Sequence, residues 1–140
     1  MVINATNAEI INTKDVYLHD EILLNLKYNR KKKKITMTIR DEFDAKIKYN
    51  INFIDIIGFY GTSCDFWGPS PYICDFEYMK KEHQIIIPEL KKHGKETPHF
   101  EFKINLDDYL ETRMTFISGD RLRIACREII IDAKPRVDNK

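Results

Sequence analysis

Apolar and polar residues alternate along two long parts of the chain, and this period of two is typical of strands with one buried face. The first part runs from Ile22 to Phe53, where charged turns at residues 29–33 and 41–44 separate three alternating segments. The second part runs from Phe100 to Cys126. The sequence therefore predicts an all-β fold, an antiparallel β-sandwich or a strongly curved meander with little helix.

The alternation also predicts which faces are buried. In the first segment the apolar positions Ile22, Leu24, Leu26 and Tyr28 share one face, which we expect to lie against the core. Residues 54–60 are apolar on both faces, and this predicts a central strand that is covered on both sides, with Gly58 at a bulge or bend.

A change of phase follows the last alternating segment. Ile129 and Ile131 are out of phase with the apolar positions from Leu122 to Cys126. Since a slip of one residue moves side chains to the opposite face, a β-bulge near Arg127 or Glu128 is the simplest interpretation.

Between the alternating parts, residues that stop strands or form turns predict the local structure. Residues 84–87 are short and β-branched, which predicts a strand that Pro88 stops, followed by a charged loop over residues 89–98. The turn at residues 118–120, Ser-Gly-Asp, predicts a hairpin.

Length and composition limit the class of protein. A chain of 140 residues predicts a single domain over residues 1–140, with residues 134–140 as a frayed tail. The 23 basic and 22 acidic residues give a net charge of +1, which argues against a dedicated nucleic-acid binder or a membrane-surface protein.

The cysteines and the N-terminus bear on the compartment. Three cysteines without a CxxC spacing favour reduced thiols in a cytoplasmic protein, and the start of the chain shows no secretory signal. A disulfide between Cys64 and Cys74 is the alternative if the protein is exported.

The stretch from Phe59 to Phe76 differs from the rest because it holds the only tryptophan and six aromatic residues. Pro69 and Pro71 restrict the backbone, so the loop is expected to be stiff and suited to recognition. The alternative is that the large rings plug one end of the β core. The hypothetical binding residues in or beside this stretch are Asp65, Phe66, Trp67, Tyr72, Asp75 and Glu77.

A second candidate group precedes the first clear strand. His19 and Asp20 form a minimal acid–base or metal set, although both residues also suit a structural turn. His99 and Glu101 point to one face, but two ligands are too few for zinc. The sequence therefore predicts no catalytic residue, no metal site and no cofactor.

The strongest charge run is RKKKK at residues 30–34. Such a run can contact phosphate or an acidic partner. It contains no aromatic residue that could stack on bases, so a solvated hairpin tip is the expected interpretation.

Residues 16–39 combine a Leu-His-Asp motif with an alternating hairpin, in the sequence VYLHDEILLNLKYNRKKKKITMTI. It resembles small bacterial β-rich proteins of unassigned activity that open with an LHD hairpin, some of which look like immunity proteins of polymorphic toxin systems. The resemblance extends towards the DFWG segment at residues 65–68 and carries over no catalytic residues. It implies a cytoplasmic binding protein whose partner is another protein.

Two functions follow from these observations. The first is a non-enzymatic protein-binding module, specifically an immunity protein that neutralises a bacterial toxin, with no nucleic-acid or membrane partner. The alternative is a small enzyme or small-ligand-binding β protein that uses a His/Asp/Glu pocket near Trp67.

Overall fold

The computed structural model describes residues 1–61, 72–96 and 105–132. The strands are β1 (Val2–Asn4), β2 (Ile22–Asn29), β3 (Lys34–Arg40), β4 (Lys48–Ile54), β5 (Gly58–Gly61), β6 (Ile73–Tyr78), β7 (Leu110–Phe116), β8 (Arg121–Cys126) and β9 (Glu128–Ile131). The helix α1 spans Ile86–Glu96, and short 3-10 helices lie at Ala8–Asn12, Lys81–His83 and Leu106–Asp108.

The described strands form two antiparallel sheets that pack face to face. The first sheet has the order β1-β9-β4-β3-β2, and the second has the order β5-β8-β7-β6. One cluster of buried residues draws on both sheets, and the rings of Phe53 and Phe76 meet edge-on across it with centroids 6.3 Å apart. The predicted all-β sandwich with little helix is therefore confirmed.

The alternating pattern is followed most faithfully in β3 and β4. Ile35, Met37 and Ile39 are fully buried, whereas the alternate positions face outward. On that outer face the hydroxyl groups of Thr36 and Thr38 donate to asparagine side chains of β4. The period of two in the sequence thus corresponds directly to a core face and a polar face.

In β2 the predicted buried face is wrong in part. The register with β3 shifts between Leu23 and Asn25, and this irregularity exchanges the faces of neighbouring residues. Leu23 is buried, whereas Leu24 is 41% exposed. Tyr28 pairs with the buried Ile35 and so keeps the predicted face, but it is 45% exposed at the edge of the sheet.

Two antiparallel strands cross together from one sheet to the other. β4 pairs with β9, β5 pairs with β8, and the crossing lies between these pairs at Asp55 and Arg127. Asp55 has a left-handed backbone with φ of 54°, and its carboxylate accepts from Arg127 at 2.8 Å. The irregularity predicted near Arg127 or Glu128 is therefore found at Arg127, as a bend at which the strand switches sheets and not as an extra residue within one ladder.

The prediction of a central strand over residues 54–60 is also wrong. β5 lies at the edge of the second sheet, and its Phe59 and Tyr60 are partly exposed. The central strand covered on both faces is β8 instead, where the five residues from Leu122 to Cys126 are all buried. Gly58 starts β5 and is needed for close packing, since a Cβ there would lie 2.7 Å from the Cγ2 atom of Ile86.

The helix α1 replaces the predicted strand at residues 84–87 and much of the predicted loop at 89–98. Pro88 lies in the first turn, where a missing N–H costs no helical hydrogen bond. Ile86 and Ile87 are buried against Ala125 on the outer face of the second sheet. The run that resembled a strand is thus the start of a helix docked on that sheet.

Other local predictions hold. The hairpin turn between β7 and β8 contains Gly119 at φ of 93°, as its Ser-Gly-Asp sequence predicted. Cys74 and Cys126 are free thiols, which agrees with the predicted reduced state, and burial raises the pKa of Cys126. Cys64, Phe100 and the predicted tail lie outside the described residues. Within the described part of the chain, no helix is both long and apolar enough to span a membrane.

Candidate functional site

A groove of about 590 Å³ lies between the segment before β2 and the edge strand β6. One wall is formed by the end of the 3-10 helix at Ala8–Asn12 and the chain that follows it. The other wall is β6. The lining residues are Ile11, Asn12, Thr13, Lys14, Val16, Tyr17, Leu18, His19, Cys74, Asp75, Phe76 and Glu77.

Backbone and amide hydrogen bonds fix the two walls against each other. At one end the side-chain oxygen of Asn12 accepts from the N–H of Tyr78 at 3.0 Å. At the other end the N–H of Asp20 donates to the carbonyl of Ile73, whose own N–H donates to the carbonyl of Glu21. The groove is therefore a preformed gap between two pinned segments.

A buried carboxylate holds the chain at the end of the groove. Glu21 is 4% exposed, and its carboxylate accepts from the hydroxyl of Tyr49 at 3.0 Å and the N–H of Glu42 at 2.9 Å. Burial and the neighbouring Glu21 charge raise the pKa of Tyr49, so it stays a donor. Asp20 has φ of 67°, and this left-handed residue orients His19 towards β6.

His19 lies between two acceptors. Its Nδ1 atom is 2.7 Å from the carbonyl oxygen of Cys74, and because a carbonyl only accepts, Nδ1 carries the hydrogen. Its Nε2 atom is 3.3 Å from a carboxylate oxygen of Asp20. The bond to Cys74 raises the pKa of His19 most; burial opposes this shift, and the charges of Asp20, Glu42 and Asp75 add to it.

Asp75 and Glu77 form a carboxyl pair on one face of β6. Their carboxyl groups lie close enough to interact directly, and Glu77 accepts from Arg113 of β7 at 2.8 Å. Burial and then the interaction with Glu77 raise the pKa of Asp75. Burial also acts to raise the pKa of Glu77, but the bond from Arg113 and the interaction with Asp75 outweigh it and lower that pKa. The pair thus carries one proton more readily than two separate carboxyls would.

The fold brings four of the predicted site residues to this place: His19 and Asp75 line the groove with Glu77, and Asp20 adjoins it through His19. Tyr72 is partly exposed and forms an isolated bridge with Ile22 beyond the groove's lining. The remaining predicted site residues, Asp65, Phe66 and Trp67, lie outside the described residues, as do His99 and Glu101.

Sequence reasoning missed three residues of this site. Tyr17 is 55% exposed at the groove, and its ring centroid lies 6.0 Å from that of His19. Lys14 lines the same wall. Arg113 reaches Glu77 from the next strand; its sequence signal was a cation in an alternating strand, but the pairing of β6 with β7 could not be read from the chain.

The chemistry available is hydrogen bonding, charge pairing and aromatic contact. Among the described residues, no group of three or more His, Cys, Asp or Glu side chains is arranged to hold a metal ion. The carboxyl pair accepts from cations, His19 supplies a charge that responds to pH, and Tyr17 offers an exposed ring.

Comparison with known proteins gives little beyond this geometry. The chain matches no family model and no curated protein. It aligns with the crystal structure of an uncharacterised protein from Neisseria gonorrhoeae at 10% identity and a TM-score of 0.47, over 96% of this chain and 99% of that one. A likeness of this extent carries no argument about family or function.

Proposed function

We propose that this chain is a non-enzymatic protein-binding module whose groove receives a basic segment of a partner protein. The observation that carries the proposal is the carboxyl pair Asp75 and Glu77 in a preformed groove, with one of its two members already oriented by Arg113. An incoming ammonium or guanidinium group would donate a charge-assisted hydrogen bond to the carboxylate of Asp75.

The same pair fits cation binding better than glycoside hydrolysis. Glycoside hydrolases with two catalytic carboxyls hold them roughly 5 Å or more apart, so that a bond or a water fits between them. Asp75 and Glu77 lie close enough to shift each other's pKa directly, which leaves no such gap. The exposed ring of Tyr17 beside the groove adds contact area of the kind found at protein interfaces.

The specific partner we propose is a bacterial toxin that this protein neutralises. The support is the resemblance of residues 16–39 to the LHD hairpin of immunity-protein-like chains, and the groove lies directly beside that hairpin's start at His19. A toxin with a basic contact surface would complement the acidic pair.

The test uses a toxin encoded beside this protein, both in growth rescue on co-expression and in purified binding. Asp75→Asn combined with Glu77→Gln should weaken binding about tenfold or more, as expected for charged contacts at an interface, and should abolish rescue. The matched control, Glu82→Gln with Asp108→Asn, removes the same charge from exposed positions away from the groove lining. Unchanged binding in the groove variant, or equal loss in the control, would refute the site.

A small-ligand-binding protein or small enzyme is the second candidate, favoured by the volume of the groove. About 590 Å³ falls within the range of roughly 300 to 1,000 Å³ typical of ligand pockets. Thermal unfolding with small cationic ligands, such as arginine or spermidine, separates the two candidates. A saturable shift that the Asp75→Asn and Glu77→Gln variant loses would favour the ligand site over the protein interface.

A further inference from the structure

The hairpin between β2 and β3 gathers cations at one end of the first sheet. Residues 30–33 are exposed at the turn, and Lys27 and Lys34 follow on the outer face of the two strands. Among the described residues, none of these six cations forms an ion pair with a carboxylate. We call residues 27 and 30–34 the basic hairpin.

The backbone of the basic hairpin is fixed. The N–H of Lys32 donates to the side-chain oxygen of Asn29 at 3.0 Å, and Lys33 takes a left-handed conformation with φ of 49°. The carbonyl of Lys33 accepts from the N–H of Ile56 at 2.9 Å, which ties the turn to the chain leaving β4. Asp55, the acid on that neighbouring segment, is already paired with Arg127. The lysines thus project from a hydrogen-bonded turn, and no carboxylate in the described part of the chain pairs with them.

The fold supplies the aromatic residues that the charge run lacks in sequence. Tyr28 precedes the turn by two residues, and its ring meets that of Phe59 from β5 edge-on with centroids 4.7 Å apart. The two rings are 45% and 40% exposed, and the neighbouring Tyr60 is 36% exposed. Because Phe59 belongs to the other sheet, this pairing could not be read from the hairpin alone.

We propose that the basic hairpin and the Tyr28–Phe59 pair form a binding site for single-stranded nucleic acid. Lysine ammonium groups pair with phosphates, and exposed rings stack on bases, which is the combination that single-strand binders use. An acidic peptide would use the cations alone and would leave the rings without a role. The net charge of +1 averages over the whole chain and conceals the local excess of cations. This surface is separate from the groove, so either proposal can fail without the other.

Fluorescence anisotropy of a labelled oligothymidylate tests the site on the full chain. Affinity should fall as salt rises, with a slope of about −0.7 for each phosphate contacted. Lys31→Ala with Lys32→Ala should weaken binding about tenfold and flatten that slope by about 1.4, which is the loss of two contacts. Tyr28→Ala should weaken binding roughly fivefold, as expected when one base loses its stacking partner.

Controls make each part of the proposal falsifiable. Lys80→Ala with Lys81→Ala removes the same charge from exposed positions that follow β6 of the second sheet. This variant should leave the affinity unchanged. Urea unfolding of each variant confirms that the fold is intact. An abasic strand of equal length should bind more weakly than oligothymidylate, and equal affinity would overturn the assignment to nucleic acid. Tighter binding of a polyglutamate peptide, equal loss in the control pair, or no saturable binding at low salt would also overturn it.

Discussion

Two carboxylates on the outer face of the second sheet, Glu111 and Glu77, each pair with an arginine but differ in burial and in their other partners. Glu111 is fully buried and accepts from Arg123 at 2.7 Å and from the N–H groups of Ile85, Ile86 and Ile87. Glu77 accepts from Arg113 at 2.8 Å, but its side chain is 32% exposed and its other partner is a carboxyl. The first acceptor is saturated by the protein, whereas the second pair still has capacity for an outside donor.

The difference comes from what covers the sheet. The helix α1 begins over Glu111, and its first N–H groups have no acceptor within the helix. The carboxylate accepts from these groups, and its negative charge is also favourable at the positive end of the helix dipole. Over Asp75 and Glu77 there is the open groove. The same types of residue therefore build a structural cap on β7 and a candidate site on the neighbouring strand β6.

The largest expected effect is on the cap. Glu111→Gln removes the charge that pairs with buried Arg123 and weakens the helix cap, so we expect a loss of about 3 kcal/mol or more in the free energy of unfolding. Glu77→Gln, the matched change at the groove, should cost less than about 1 kcal/mol because the pair is partly exposed. Urea unfolding measures both.

Hydrogen exchange locates the damage. The amides of Ile86 and Ile87 should lose protection in Glu111→Gln and keep it in Glu77→Gln, since only Glu111 accepts from them. Equal losses of stability in the two variants would show that the distinction between cap and site is wrong.

The second expected effect concerns Asp75 and has a defined sign. Its pKa is raised in the folded state, by burial first, so its contribution to stability is present below the ordinary pKa of 3.8 and is lost as pH rises through the folded pKa. Above that pH the ionised Asp75 destabilises the fold. Asp75→Asn should therefore be slightly more stable than the wild type at neutral pH, by less than about 1 kcal/mol, because asparagine still donates to Glu77.

Urea unfolding over a pH series checks this prediction. The gain should shrink as pH falls towards 3.8, where the native Asp75 is protonated as well. Asp75→Ala is the control, since it removes both the charge and the donor. If Asp75→Asn is less stable than the wild type at neutral pH, the ionised carboxylate already has a stabilising partner within the protein. The argument for a free acceptor in the groove would then fail.

The sequence could predict those features that depend on a single strand, namely which of its two faces is buried. Ile35, Met37 and Ile39 alternate and are buried because β3 has a core on one side only. The helix α1 was missed because its signal, a cap, comes from Glu111, which lies 25 residues from Ile86. The sheet switch was read as a bulge since both produce a slip of one residue.

The candidate site was predictable in its members and not in its arrangement. His19 and Asp75 stood out as polar residues beside apolar runs, but their meeting depends on the bond between His19 and Cys74 across 55 positions. Arg113 is visible in the sequence as a cation in an alternating strand, but strand pairing decides which carboxylate it reaches. Long-range pairing is the information that a local pattern does not contain.

The smallest expected effect is a raised pKa of His19. This histidine lines the groove, so the groove should respond to pH near neutrality. The bond to the Cys74 carbonyl and the charge of Asp20 raise its pKa, so its NMR midpoint should lie above the ordinary 6.5. The stability that His19 contributes is then present below pH 6.5 and is lost as pH rises through the folded pKa. Asp20→Asn should lower the midpoint without returning it to 6.5, because the carbonyl bond remains and asparagine tolerates the left-handed backbone at this position. A His19→Asn spectrum assigns the resonance. A midpoint at or below 6.5 in the wild type would mean that His19 is not held against Cys74, and the wall of the groove would then be open at that end.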